Sequence, residues 1–290
     1  MPVKTKKWLI LGILATVAVI MLALVAFLLL RPIVDKSAEE TAGTTTLETT
    51  LEEPSANVFT PMDFAYEGDY LTCLTDESIR GIDISTFQKE VDFQKVKEAG
   101  FEFVMIRLGY RGSVEGLLFE DEWAQRNYQG AKAAGLKVGG YFFSQSISVE
   151  EAIEEANYAM GIIEGWELEM PLVYDWEFIK EGYRTDIVDA RMLTDYTLAF
   201  CRTVEEAGYD AMVYFNPEQS RKKMYLQELT DYGFWLAMYT DQMDYPYKVD
   251  MWQYTCTGKV PGINGNVDIN LYFPYPRVNS TKTDIEITLE

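Results

Sequence analysis

The 290-residue chain carries 46 acidic against 25 basic residues, a net charge of −21, and no histidine. Its 48% apolar and 14% aromatic content suffices for a substantial core and excludes a wholly disordered chain. The missing histidine excludes Ser-His-Asp and Cys-His catalysis and His-ligated zinc, leaving acid–base chemistry to Asp, Glu, Lys, Tyr or Cys. The acidity argues against nucleic acid as a partner, because phosphates need basic contacts.

Residues 8–30 read WLILGILATVAVIMLALVAFLLL, without a charge. At about 1.5 Å per residue the run spans roughly 34 Å, enough for a bilayer core. Lys4, Lys6 and Lys7 precede it and only Arg31 follows closely. This predicts a cytoplasmic stretch (1–7), a single transmembrane helix (8–30) in the cell membrane, and the rest of the chain outside. A cleaved signal peptide is the alternative, although its apolar region is normally shorter.

Residues 31–58 are Thr/Glu-rich and lack a helical or strand period, so a disordered tether is expected. Residues 59–79 hold Phe59, Met62, Phe64, Tyr66, Tyr70 and Leu71, too apolar for a free linker. They are expected to pack on the following domain as a lead-in.

From residue 80 to 275, short apolar runs alternate with helical patterns. The strand candidates are 80–85, 101–110, 137–144, 170–178, 211–216, 234–239, 249–255 and 267–273. Helices are predicted around Phe93 and Val96, over 119–135, 149–164 and 187–207, and they thin out after residue 225. Eight strands alternating with helices predict an α/β fold with a mainly parallel sheet, closed as a TIM-like (β/α) barrel. Residues 276–290 are left as a C-terminal tail. Of three cysteines, Cys201 falls in a helical pattern and reads as buried, while Cys73 and Cys256 are a pair that spacing alone leaves open.

The run MPLVYDWEF carries the chemistry. Strand alternation places Leu172, Tyr174, Trp176 and Phe178 on one face, under helices. Val173, Asp175 and Glu177 share the other, inside the barrel at its C-terminal mouth. Two carboxylates roughly 6.5 Å apart by strand rise do not ionise independently. One is pushed toward a proton donor near neutral pH, as glycosidic bonds require. A salt-bridged pair or a calcium ligand is the structural alternative. Asp83, near the end of the first strand, and Asp268, opening the last, are placed to reach the same mouth because a closed barrel makes those strands neighbours. Tyr110, Tyr141, Tyr214, Trp235, Tyr239, Trp252 and Tyr254 fall on strands or their ends and suit sugar rings, with core packing as the alternative.

RGIDISTFQ, the D-W-E of 175–177, WLAMY, MWQYT and VDIN together resemble the motif series of glycoside hydrolase family 25, lysozymes that cleave peptidoglycan. The resemblance spans about 80–273. It implies an irregular, flattened barrel and hydrolysis of the β-1,4 bond between N-acetylmuramic acid and N-acetylglucosamine. By position, Glu177 matches the proton donor and Asp175 the partner acid that stabilises the transition state or orients the acetamido group. Asp83 and Asp268 match further acids of the groove. Tyr110, Tyr141, Tyr214, Trp235, Tyr239 and Gln253 are the substrate-binding candidates. Two positions depart from many members: Phe142 stands where a histidine is common, and Met238 where some carry an acid. Peptidoglycan strands and the membrane are the expected partners, and no cofactor or metal is called for. A chitinase-like enzyme also carries D-x-E on its fourth strand, but its further acids would fall at Val173 and Met170. A non-catalytic, anchored glycan binder is the other alternative.

Overall fold

The computed structural model describes residues 53–274. The stretches 1–7, 8–30 and 276–290, with most of the expected tether, lie outside the described residues. Among the described residues no helix is long and apolar enough to cross a membrane.

Chain order begins with a hairpin, β1 (Phe64–Glu67) and β2 (Tyr70–Cys73). The barrel follows: β3 (Ile79–Ile84), α1 (Phe93–Glu98), β4 (Phe103–Arg111), β5 (Leu118–Glu120), α2 (Ala124–Ala133), β6 (Lys137–Ser144), α3 (Val149–Ile162), β7 (Leu172–Trp176) and α4 (Ala190–Glu206). It ends with β8 (Ala211–Phe215), α5 (Pro217–Lys222), β9 (Gly233–Ala237), β10 (Met251–Gly258) and β11 (Val267–Tyr272). Eight strands close on themselves in the order β3-β4-β6-β7-β8-β9-β10-β11, with β11 returning to β3, and β5 adds to the outer edge of β4. All neighbours in the ring are parallel except β11, which runs against both β10 and β3.

Helix starts follow capping chemistry. Asp92 and Asp189 accept from the backbone N–H of Lys95 and Met192, and Ser148 accepts from that of Glu151. Alternation sorts the strands into two cores. Leu172, Tyr174 and Trp176 pack outward with Val104, Ile106, Leu193 and Phe200. Val173 packs inside with Phe103, Met105, Met170, Met212 and Met251. At Gly139 an added Cβ would come within 2.7 Å of Met105 and Met170, so the interior has no room for a side chain there.

Where helices are missing from the last strands, the hairpin β1–β2 covers them. The Phe64 ring lies 5.1 Å from that of Trp252, and the Leu71 N–H donates to the Tyr254 hydroxyl at 3.3 Å. Trp252 and Tyr254 are therefore packing residues on the barrel's outside.

Two expectations need correction. The predicted helix 119–135 begins only at Ala124, because Phe119 and Glu120 are drawn into β5 against Tyr110 and Gly109. Phe178 does not lie under helices: β7 stops at Trp176 and Phe178 is exposed. The lead-in packs on the barrel as expected, with Phe64 and Leu71 in its core, and does so as a hairpin that the sequence pattern did not reveal. Cys201 is buried as expected, and Cys73 and Cys256 form no disulfide.

Candidate active site

The C-terminal mouth of the barrel opens into a cleft of about 240 Å³. Asp83, Asp175, Glu177 and Asp268 all line it. Asp175 arrives from the last turn of pleat in β7, with Phe143 of β6 and Tyr214 of β8 as its register partners. Glu177 is the first residue past the strand. Asp268 reaches the mouth from the start of its strand only because β11 is antiparallel, which sets it directly opposite Asp83. Like charges facing across an antiparallel pair are destabilising, so this pairing is not explained by sheet stability.

Asp83 is built to carry charge. Its Oδ2 accepts from Gln253 Nε2 and from Asn270 Nδ2, each at 2.8 Å. Both amides are held in the donating orientation. The hydroxyls of Tyr214 and Tyr239 each donate to Gln253 Oε1 at 3.1 Å, and the Trp235 indole N–H donates to Asn270 Oδ1 at 2.8 Å. A flipped amide would lose these bonds and turn a carbonyl toward the carboxylate. Burial nevertheless pushes Asp83 up to about 6, against the two hydrogen bonds that lower it.

The other three acids are raised as well. Burial raises Asp268 to about 8, with the charges of Asp83 and Glu177 adding to it. Burial also raises Glu177, and Asp83 contributes. Asp175 is raised well above its ordinary value by burial, then by Glu177 and Asp83, and its Oδ1 has no hydrogen-bond partner among the described residues. The cluster thus brings four acids together, and the charge of Asp83 helps raise the other three. Carboxyls raised in this way keep a proton to higher pH than exposed ones and can act as general acids.

Behind the acids, side-chain amides tie down the end of β7, where the ladder no longer reaches. Gln145 donates to the Glu177 carbonyl at 2.7 Å, and Gln219 donates to the Trp176 carbonyl at 2.6 Å. Among the described residues lining the cleft, Arg107 alone is cationic, and it is anchored by Asp121 at 2.8 Å.

Of the residues singled out from sequence, Tyr141, Tyr214, Trp235, Tyr239 and Gln253 line the cleft with the four acids. Tyr110 does not. Its ring stacks on Phe119 of β5 at 5.2 Å, a strand that the sequence pattern had assigned to a helix. Trp235 is only 1% exposed, so its indole orients Asn270 and presents no open face. Arg107, Phe87, Gln88, Asn270 and Gln145 were missed. Phe87 and Gln88 sit within the RGIDISTFQ motif, and Asn270 within VDIN, so those two motifs held the available signal.

The profile of the family Glycosyl hydrolases family 25 matches residues 82–263. The autolytic lysozyme of Clostridium acetobutylicum is 30% identical over 197 residues, covering 66% of this chain and 55% of that protein. Lysozyme M1 of Streptomyces globisporus is 27% identical over 221 residues, covering 67% of each. Among solved structures, the modular autolysin LytC of Streptococcus pneumoniae superposes with a TM-score of 0.60 at 24% identity, over 68% of this chain and 47% of that one. The chain therefore spans about half the length of the first two of these proteins that carry an autolytic name. The family match covers well over half of the residues here, all of them within the barrel. The chain belongs to family 25 of the glycosyl hydrolases.

Proposed function

We propose that the protein is a peptidoglycan hydrolase of the muramidase type, cutting the β-1,4 bond between N-acetylmuramic acid and N-acetylglucosamine. One observation carries this reading: Asp175, on β7, and Glu177, just past its end, line one cleft with Asp83, whose carboxylate accepts from two locked amides. The lysozyme names of two relatives support it, as does the related autolysin LytC, whose structure is known with a synthetic peptidoglycan ligand.

Glu177, at the solvent edge and with its carboxyl raised by burial and by Asp83, donates its proton to the glycosidic oxygen. Asp175, one pleat deeper, faces the sugar whose bond breaks and stabilises positive charge at its anomeric carbon or positions its acetamido group. Asp83 maintains the field, and Asp268 closes the acidic wall. Tyr141, Tyr214, Tyr239 and Gln253 contact or position the substrate, with Tyr239 offering an exposed ring at the rim. No step requires a cofactor or a metal.

The uncharged run 8–30, with its lysine-rich leading flank, supports a single-pass anchor with the N-terminus inside. The barrel then works outside the cell on wall strands near the membrane, held by the Thr/Glu-rich tether. Glu177→Gln in the full chain tests the assignment. Loss of reducing-end release from purified peptidoglycan is expected, and retention of full activity would remove Glu177 from the donor role.

A further inference from the structure

Arg107 lines the cleft beside four carboxyl groups, yet its ion-pair partner is none of them but Asp121, which lies outside the lining. It stands on β4 two residues past Met105, the register partner of Asp83. Its side chain therefore leaves the strand on the face of the acids, one pleat nearer the mouth. Its own register partner on β6 is Tyr141, and Asp175 lies on the next strand, β7. Two strand spacings separate the backbones by about 10 Å. The Arg107 charge still reaches Asp175, where it opposes the rise caused by burial.

The guanidinium is fixed on several sides. Asp121 accepts from its Nε and Nη2, each at 2.8 Å, and from the backbone N–H of Thr86 and of Trp123, each at 3.0 Å. The Asp121 side chain is 0% exposed, so this edge of the fork is held from within the protein. The rings of Phe87 and Tyr110 lie 5.2 and 5.4 Å from the guanidinium carbon, and Tyr110 is itself stacked on Phe119. The Nη1 end is left over. It has no hydrogen-bond partner among the described residues, and it is not one of the unpaired nitrogens that are sealed from solvent. Because a guanidinium is a rigid planar fork, fixing Nε and Nη2 also fixes the direction in which Nη1 offers its donors.

Oriented N–H donors on a cation select a carboxylate or a polarised carbonyl oxygen. The two sugars of a wall strand differ in that respect. Both carry an acetamido group, but N-acetylmuramic acid adds a lactyl ether, whose carboxyl is either free or amide-linked to a peptide. Four acids in the cleft would repel a free lactyl carboxylate, and Arg107 is the group placed to receive it. We propose that Arg107 Nη1 donates to the lactyl carboxyl of a muramyl residue in the cleft, so that Arg107 selects muramyl glycan over the same chain lacking that group. The proposal rests on the reading of the cleft as a peptidoglycan site and deepens it. It gives Tyr110 a second part, outside the cleft lining, as a ring that steadies the guanidinium.

Binding to the full chain carrying Glu177→Gln tests it. The ligands are three forms of one oligosaccharide of alternating N-acetylglucosamine and N-acetylmuramic acid: lactyl carboxyl free, amidated, or reduced to the alcohol. The free carboxylate is expected to bind about ten-fold or more tightly than the alcohol, as a charge-assisted hydrogen bond requires, with the amide between them. Adding Arg107→Met, which keeps an apolar stem against Phe87 and Tyr110 but removes every donor, should erase that preference. Arg107→Lys keeps a cation for Asp121 and should shrink the preference, because an ammonium lacks the second, fixed end of the fork. A purely structural role for Arg107 would weaken all three ligands equally and leave their ratios unchanged. That result, or equal binding of carboxylate and alcohol by the parent, would overturn the inference while leaving the cleft a glycan site. If the parent binds none of the three, the reading of the cleft as a muramyl glycan site fails, and this inference falls with it.

Discussion

At Val173 the barrel interior is apolar, and two residues further along β7, at Asp175, it is acidic. The same step separates Met105 from Arg107 on β4, and Gly81 from Asp83 on β3. The lower layer is filled by Phe103, Met105, Met170, Met212 and Met251, side chains without polar demands that pack the closed ring. The upper layer gathers four carboxylates, where a stability-driven core would hold none. The lower layer shows what closes the barrel. The upper layer shows what the fold tolerates at a cost, and its amides and aromatics are arranged to control charge and not to neutralise it.

If the two layers are so divided, changes at the mouth should alter chemistry and changes below should alter stability. The largest effect is expected at Glu177. Removing a general acid costs about 10²–10⁴-fold in rate, so Glu177→Gln should lose at least about 100-fold of reducing-end release while its unfolding midpoint does not fall. In the lower layer, Met105→Ala should destabilise by about 2–5 kcal/mol in urea unfolding, through the cavity it leaves among buried neighbours. Its rate per folded molecule should stay close to that of the parent. A large rate loss at full stability would break the division between the layers.

Asp83→Asn sharpens the electrostatic half of the comparison. The Asp83 charge raises Glu177, Asp175 and Asp268, so its removal should let the proton donor ionise at lower pH. The basic limb of the residual pH–rate profile should move down by about one unit. No movement would mean that burial alone sets the donor.

The smallest effect concerns stability. Asp268 is raised to about 8 in the folded protein, above an unfolded value near 4. The folded state therefore binds more protons over that window, and stability falls as pH rises from about 4 to about 8. Asp268→Asn should raise the melting midpoint at pH 8 by at least about 2 °C and leave it unchanged at pH 4. Equal shifts at both pH values would show that ionisation of Asp268 is not what costs stability.

Much of this architecture was readable because its signals are local. Alternation in MPLVYDWEF separates Tyr174 and Trp176 from Asp175 without any knowledge of neighbours, and all eight runs of that kind became barrel strands. Closure of the ring was also enough to place Asp83 near Asp268, although the antiparallel direction of β11 was not visible. What the pattern hid depends on partners distant in sequence. Phe119 looks helical until Tyr110 pairs with it, and that pairing takes Tyr110 out of the cleft. Trp235 reads as a sugar platform until Asn270, on another strand, accepts its N–H. Gln145 and Gln219 carry no sequence signal, because a glutamine that holds the end of a neighbouring strand is indistinguishable from one facing water.

The central claim is that Glu177 and Asp175 cut one particular bond of the wall strand. It is tested most directly by mass analysis of the fragments that the full chain releases from purified peptidoglycan. The account predicts fragments with N-acetylmuramic acid at the reducing end, absent with Glu177→Gln. Fragments ending in reducing N-acetylglucosamine, or binding without any release, would contradict it.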